Sequence, residues 1–185
     1  MYRIIAGKYR HRVLEQPDKN NTRPTSDKVR EAVFSSIQFQ LENTEILDLF
    51  SGSGAWSLEA LSRGAKYVEA IDNNKQACSI IIHNAKTLAE NNIKVWNLDA
   101  LEYLNKTKNS FDFIFIDAPF INYDLVNKCL ETIFLNKTLK ATGTIIVETD
   151  KPENIVLPAL ANVYKTKQYG KINLLFIEYQ NEEIN

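Results

Sequence analysis

"ILDLFSGSGAWSLEALSRGAKYVEAID", residues 46–72, decides the fold. "EILDLF", which begins at Glu45, reads as a short buried strand. Gly52 and Gly54 then let the backbone turn tightly and approach a ligand with no side chain in the way. "AWSLEALSRG" reads as a helix stopped by Gly64, and "YVEAID" as a second strand. Strand, crossover helix and strand form a parallel unit.

The alternation continues. "NKQACSIIIHNAKTLAE" predicts a helix, "IKVWN" a strand, and residues 101–104 a short helix. "FDFIFI", residues 111–116, predicts a fourth strand, followed by a helix over 125–134 and the strand "GTIIVET". Such a chain gives a mostly parallel sheet with helices on both faces. The closing "NVYKTKQYGKINLLFIEY" predicts two strands around Gly170, an antiparallel hairpin at the sheet's end. Upstream, "RIIAGKYRHRVL" predicts a small hairpin around Gly7, and "EQPDKNNTRP" a polar loop. Thr25 or Ser26 can cap the next helix, in which Val29, Val33, Ile37 and Leu41 form one apolar face. The expected organisation is an extension over 1–42 and a main domain over 43–185.

With 185 residues, 44% hydrophobic and 24% charged, the chain can close a real core. No apolar run approaches the roughly 20 residues of a membrane span, and the N-terminus lacks a signal-like stretch. Cys78 and Cys129 lie far apart without metal-ligand spacing, which predicts free thiols in a reducing cytoplasm and no metal. Residues 1–30 carry eight cationic and three acidic side chains, a net +5, while the remainder is −6. A basic extension on an acidic body suits a polyanion, or is a solvated terminus. Its candidate phosphate contacts are Arg3, Lys8, Arg10, Arg12, Arg23, Lys28 and Arg30.

Ligands of an open parallel sheet bind beyond the carboxyl ends of its strands. The first end carries the glycine turn, an imperfect dinucleotide fingerprint, because Ser57 stands where the third glycine belongs. Asp72 can accept from both hydroxyls of a ribose or cap the helix expected to begin at Asn73. Asp99, before Ala100, can accept from an adenine amine or cap a helix. Together they describe a nucleoside pocket on one rim.

The fourth strand ends in "DAPF". Asp117 and the Ala118 carbonyl can accept two N–H bonds from one amine. Pro119 stiffens the turn, and Phe120 offers a face on which a base can stack. An ordinary capped turn is the plain alternative.

"DLFSGSG" with "DAPF" resembles motifs of the S-adenosylmethionine-dependent methyltransferases that modify exocyclic amines. "RIIAGKYRHRVL", "TRPTSDKVREAVFSSI" and "ILDLFSGSGAWSLEALSRGAKYVEAID" together resemble the bacterial 16S ribosomal RNA guanine-N2 methyltransferases of the RsmD family. The resemblance implies a Rossmann-like, seven-stranded α/β methyltransferase sheet with its last strand antiparallel. It implies S-adenosylmethionine as donor, with Asp48, Gly52 and Gly54 on the methionine side, Asp72 on the ribose, and Asp99 with Ala100 near the adenine. The implied acceptor is the N2 amine of guanine 966 in small-subunit ribosomal RNA, within an assembling or assembled 30S particle. A monomer without membrane contact is expected. The family usually has D-P-P-Y where this chain has D-A-P-F, which keeps the carbonyl and the stacking face. Trp56 is bulkier than expected after the glycine turn. An adenine-N6 methyltransferase would use the same motif, and a non-catalytic RNA-binding relative is a third class. Cytosine-C5 chemistry would need a nucleophilic cysteine, and neither thiol stands in a suitable loop.

Overall fold

The computed structural model describes residues 2–16, 27–119 and 122–180. A small antiparallel hairpin, β1 (Tyr2–Arg3) with β2 (Val13–Leu14), leads to helix α1 (Asp27–Ile37). The main alternation follows: β3 (Glu45–Asp48), α2 (Ala55–Ser62), β4 (Tyr67–Asp72), α3 (Lys75–Thr87), β5 (Ile93–Asn97), α4 (Ala100–Lys106), β6 (Phe111–Ile116), α5 (Tyr123–Leu135) and β7 (Leu139–Thr149). A final hairpin, β8 (Ala161–Tyr169) and β9 (Ile172–Tyr179), completes a seven-stranded sheet in the order β5-β4-β3-β6-β7-β9-β8. The first five of these pair in parallel, and β9 inserts antiparallel between β7 and β8.

Three expected strands have the observed bounds: 67–72, 93–97 and 111–116. β7 starts four residues before the expected Gly143. The register slips between Phe111 and Phe113, so Leu139 pairs with Phe111 and Thr144 with Phe113. A bulge absorbs the extra residues, and periodicity does not register a bulge.

Right-handed crossovers put α2 and α3 on one face and α4 and α5 on the other. On β6, Phe113 and Phe115 enter the first core with Val33, Phe34, Leu58 and Leu61. Ile114 and Ile116 enter the second with Leu104, Leu130 and Ile133. Each such fully buried side chain contributes about 1.5–3 kcal/mol. The hairpin and α1 belong to the first core through Ile4, Leu14, Val29 and Ile37.

The hairpin is docked on α2. The Ile5 and Ala6 amides donate to the carboxylate of Glu59, which is fully buried. The Lys8 amide donates to the Ser62 carbonyl, and the Tyr9 amide to Ser62 Oγ. Gly7 has φ +85, and a Cβ there would lie 1.8 Å from the Ser62 oxygen, so only glycine permits this approach. Among the described residues no helix is long and apolar enough to cross a membrane.

Candidate active site

The strand order reverses at β3, which pairs with β4 on one side and β6 on the other. Such a switch point opens a crevice at the strands' carboxyl ends. Asp48, Asp72 and Asp117 stand there as the last residue of β3, the last of β4 and the first beyond β6, with Asp99 just past β5.

The glycine turn is tied down from below. The Ser51 amide and hydroxyl donate to the Ile71 carbonyl, and the hydroxyl also to that of Asp48. Gly52 and Gly54 adopt φ +53 and +78. A Cβ on Gly52 would meet nothing within 4 Å, so its outer side is an open cradle, whereas Gly54 sits 3.1 Å from Ile81 Cγ2 by the same construction. Asn84, on α3, donates to the Ser53 carbonyl and exchanges hydrogen bonds with the Glu15 backbone, a link the sequence did not announce.

Asp48 lies wholly beneath this turn. Its Oδ2 accepts from Ser57 Oγ at 2.6 Å. The residue that breaks the glycine fingerprint therefore serves the strand-end carboxylate. Oδ1 has no hydrogen-bond partner among the described residues. Burial pushes the carboxyl up to about 7; the Ser57 bond offsets part of this, and the charges of Asp117 and Asp72 add to it.

Asp72 accepts from the Gly52 amide at 2.9 Å and from the Asn74 amide at 2.8 Å. Burial raises its pKa, and these two bonds partly oppose the rise. It is not the helix cap. α3 begins at Lys75 rather than Asn73, and Asn74 Oδ1 caps it by accepting from the Gln76 and Ala77 amides. Asp99 does cap α4, through the Leu101 and Glu102 amides, and Ala100 is buried behind it.

Asp117 is half-buried, Ala118 buried and Pro119 exposed. Phe120 lies outside the described residues. The Pro119 carbonyl accepts from the Asn122 amide, closing the turn into α5. Trp56 Nε1 donates to Asp117 Oδ2 at 3.2 Å. Tyr2 brings the hairpin to the same place: burial, then the charge of Asp117, raise its phenol pKa, with Arg30 opposing.

A donor nucleoside bearing a cation fits these residues. The open cradle at Gly52 admits a backbone-hugging ligand, Asp72 retains acceptor capacity for hydroxyls, and Asp48, whose Oδ1 has no hydrogen-bond partner among the described residues, puts a carboxyl group under the turn. The thiols do not fit nucleophilic roles. Both are buried; burial, then the charge of Asp99, push Cys129 up to about 12, and burial raises Cys78. Among the described residues no cluster suits a metal.

The expected phosphate contacts separate. Arg30 must be withdrawn from the set, because its side chain is 1% exposed. It donates to the Arg3 carbonyl and Asp27, faces Glu59 at 3.9 Å and lies over the Tyr2 ring. Arg3 and Lys28 are exposed. Lys8, Arg10 and Arg12 are exposed too, but on the opposite edge. α2 and α3 run down from the rim, and the hairpin tip meets their far ends. Lys8 pairs with Glu90 at 2.7 Å, and Arg12 donates to the Thr87 carbonyl. A groove of about 610 Å³ between Lys8, Ser62, Arg63 and Lys66 lies on that edge, away from the strand-end carboxylates. Arg23 lies outside the described residues.

The family described as Conserved hypothetical protein 95 matches residues 2–178. Ribosomal RNA small subunit methyltransferase D of Haemophilus influenzae is 33% identical over 97% of this chain and 93% of its own length. The protein of that name from Escherichia coli strain K12 is 32% identical, covering 92% and 86%. Among solved structures, a putative methyltransferase, yhhF, from Escherichia coli superposes with a TM-score of 0.88 at 28% identity, covering 98% of this chain and 99% of that one.

Proposed function

The chain belongs to the Conserved hypothetical protein 95 family, and from that premise we propose that it is an S-adenosylmethionine-dependent methyltransferase acting on the exocyclic N2 amine of a guanine in small-subunit ribosomal RNA. The observation that carries this reading is Asp117 beside the glycine turn, tied by Trp56 to the helix that the turn starts. The small-subunit methyltransferases similar to this chain over nearly its whole length support the RNA substrate.

When bound, S-adenosylmethionine supplies a methyl group on a sulfonium, open to in-line attack. Asp72 would hold the ribose hydroxyls, and the backbone of Gly52 and Gly54 would line the donor. Asp48 would supply negative charge beneath the turn. The guanine amine is a weak nucleophile, because its lone pair is shared with the ring. Asp117 and the Ala118 carbonyl accept its two N–H bonds. As nitrogen bonds to the methyl carbon, the carbon–sulfur bond would break to leave a neutral thioether, and nitrogen would carry the positive charge until it gives up a proton. The Asp117 carboxylate would stabilise that charge most in the transition state. Holding nitrogen and methyl carbon about 3–3.5 Å apart removes much of the remaining barrier. A loop base can be splayed into the crevice at modest cost.

Asp117→Ala should keep cofactor affinity by calorimetry and lose about a hundredfold or more in kcat on small-subunit particles. Comparable turnover would contradict the role of Asp117. Nucleoside mass spectrometry of the methylated RNA should yield N2-methylguanosine; N6-methyladenosine would replace the acceptor.

A further inference from the structure

Trp56 is the residue beside the glycine turn that the chemistry above leaves unused. Its ring is buried between Phe34, 5.6 Å away, and Phe115, 5.1 Å away. A buried indole needs a partner for its N–H, and the partner here is Asp117 Oδ2 at 3.2 Å. The two residues stand 61 positions apart, on α2 and beyond β6, the flanks of the crevice.

Resting on the methyl-transfer reading, we propose that Trp56 is a positioning residue, which fixes the carboxylate of Asp117 in the plane that receives the acceptor amine. The terminal torsion of an aspartate is soft. Rotation about it swings the acceptor lone pairs away from a bound amine, and sub-ångström placement governs in-line transfer. The indole can hold that torsion because the three-ring cluster holds the indole. Phe34 comes from α1 and Phe115 from β6 itself, where Phe34 also packs edge-on against Phe115. An indole N–H donates and never accepts, so it favours an ionised acceptor oxygen. The charge of Asp117 reaches Asp48 at the neighbouring strand end and Tyr2 from the hairpin; Asp48 also feels Asp72, and Tyr2 also feels Arg30, Asp27 on α1 and Glu148 on β7.

Trp56→Phe keeps an aromatic ring in the cluster and deletes the N–H along with part of the indole's volume. On small-subunit particles its kcat should fall about tenfold, the usual effect of one hydrogen bond to a charged group. Cofactor affinity should stay unchanged, and the acid limb of the kcat profile should move to higher pH, because the ionised carboxylate loses a donor. A second measurement does not depend on turnover. The chain has two tryptophans, so the ¹⁵N indole resonance lost in Trp56→Phe is that of Trp56. It should shift with pH in the parent, and this shift should vanish in Asp117→Asn. An indole signal indifferent to Asp117→Asn, or parent-like kcat in a folded Trp56→Phe, would overturn the positioning role while leaving methyl transfer intact. Full turnover by Asp117→Asn would remove Asp117 from the chemistry and this inference with it, whereas no methyl transfer by the parent on small-subunit particles would sink the methyl-transfer reading itself.

Discussion

Two buried carboxylates on the same helical face of the sheet meet opposite fates. Glu59, midway down α2, accepts from the Ile5 and Ala6 amides and from Arg63 Nε at 2.6 Å, with Arg30 beyond. Asp48, at the strand end, accepts from Ser57 and keeps one oxygen without a partner among the described residues. Glu90 at the opposite edge repeats the first pattern. Burial pushes its carboxyl up, but hydrogen bonds from Lys8, the Asn92 amide and Tyr9 outweigh that and leave it lowered. A carboxylate with its acceptor sites filled holds structure together. One left short costs stability and is retained where a ligand can complete it. The hairpin side of this molecule is built from the first kind, and Asp48 brings the second kind to the crevice.

The largest way to break the comparison is at Glu59. Glu59→Ala removes the acceptor of two backbone amides and of the nearly buried Arg63 guanidinium, and takes one of two carboxylates from the buried Arg30. It should cost about 3–5 kcal/mol in urea denaturation. Removing the opposite kind of carboxylate should do the reverse. Asp48 has its pKa raised to about 7 from an ordinary 3.8, so the folded protein binds its proton more tightly than the unfolded chain. Its contribution is complete below about pH 4 and is lost as pH rises through 7. Asp48→Asn keeps an acceptor for Ser57 and cannot ionise. At pH 8 the ligand-free variant should be more stable than the parent, by on the order of 3 kcal/mol, with the difference fading toward pH 4. The same variant should bind S-adenosylmethionine less well, because the negative charge beneath the turn is gone. A stability difference flat in pH would mean that Asp48 is not the strained group.

The sequence announces the crevice far better than the contacts that brace it. Strand-end carboxylates and the glycine turn were legible because a parallel sheet brings every strand's carboxyl end to one rim, so local patterns suffice. The Trp56–Asp117 bond and the Asn84–Ser53 link join residues 61 and 31 positions apart, which no periodicity reports. The charge of Arg30, taken alone, suggests an exposed cation. Its spacing carried the better signal: Arg30, Val33, Phe34 and Ile37 stand at i, i+3, i+4 and i+7, one helical stripe, and all four are buried. Glu59 was equally hidden, since every residue of α2 is buried and a helix buried all round has no polar face to betray its one functional carboxylate.

The smallest expected effects sharpen the comparison at the hairpin tip, where structural and RNA-binding roles compete for the same cations. Lys8 fills the acceptor sites of Glu90, and Arg12 satisfies a carbonyl at the end of α3, where helix carbonyls lack partners and the dipole favours a cation. Both have work within the fold. Arg10 is exposed, and its side chain makes no ion pair with a described residue. Single variants therefore separate what a triple variant would merge. If the tip touches RNA, Arg10→Ala should lower the slope of log affinity against log salt by roughly 0.7–0.9, as for one lost phosphate contact, without changing the unfolding midpoint. Lys8→Ala should raise the Glu90 pKa toward its ordinary value and lower the urea midpoint, whatever it does to RNA binding. A parent-like slope in Arg10→Ala, with midpoints falling in Lys8→Ala and Arg12→Ala, would assign the tip to the fold. Among the described residues the electrostatic contacts would then be sought at Arg3 and Lys28, beside Tyr2 and Arg30, which pack together and of which Tyr2 feels the charge of Asp117.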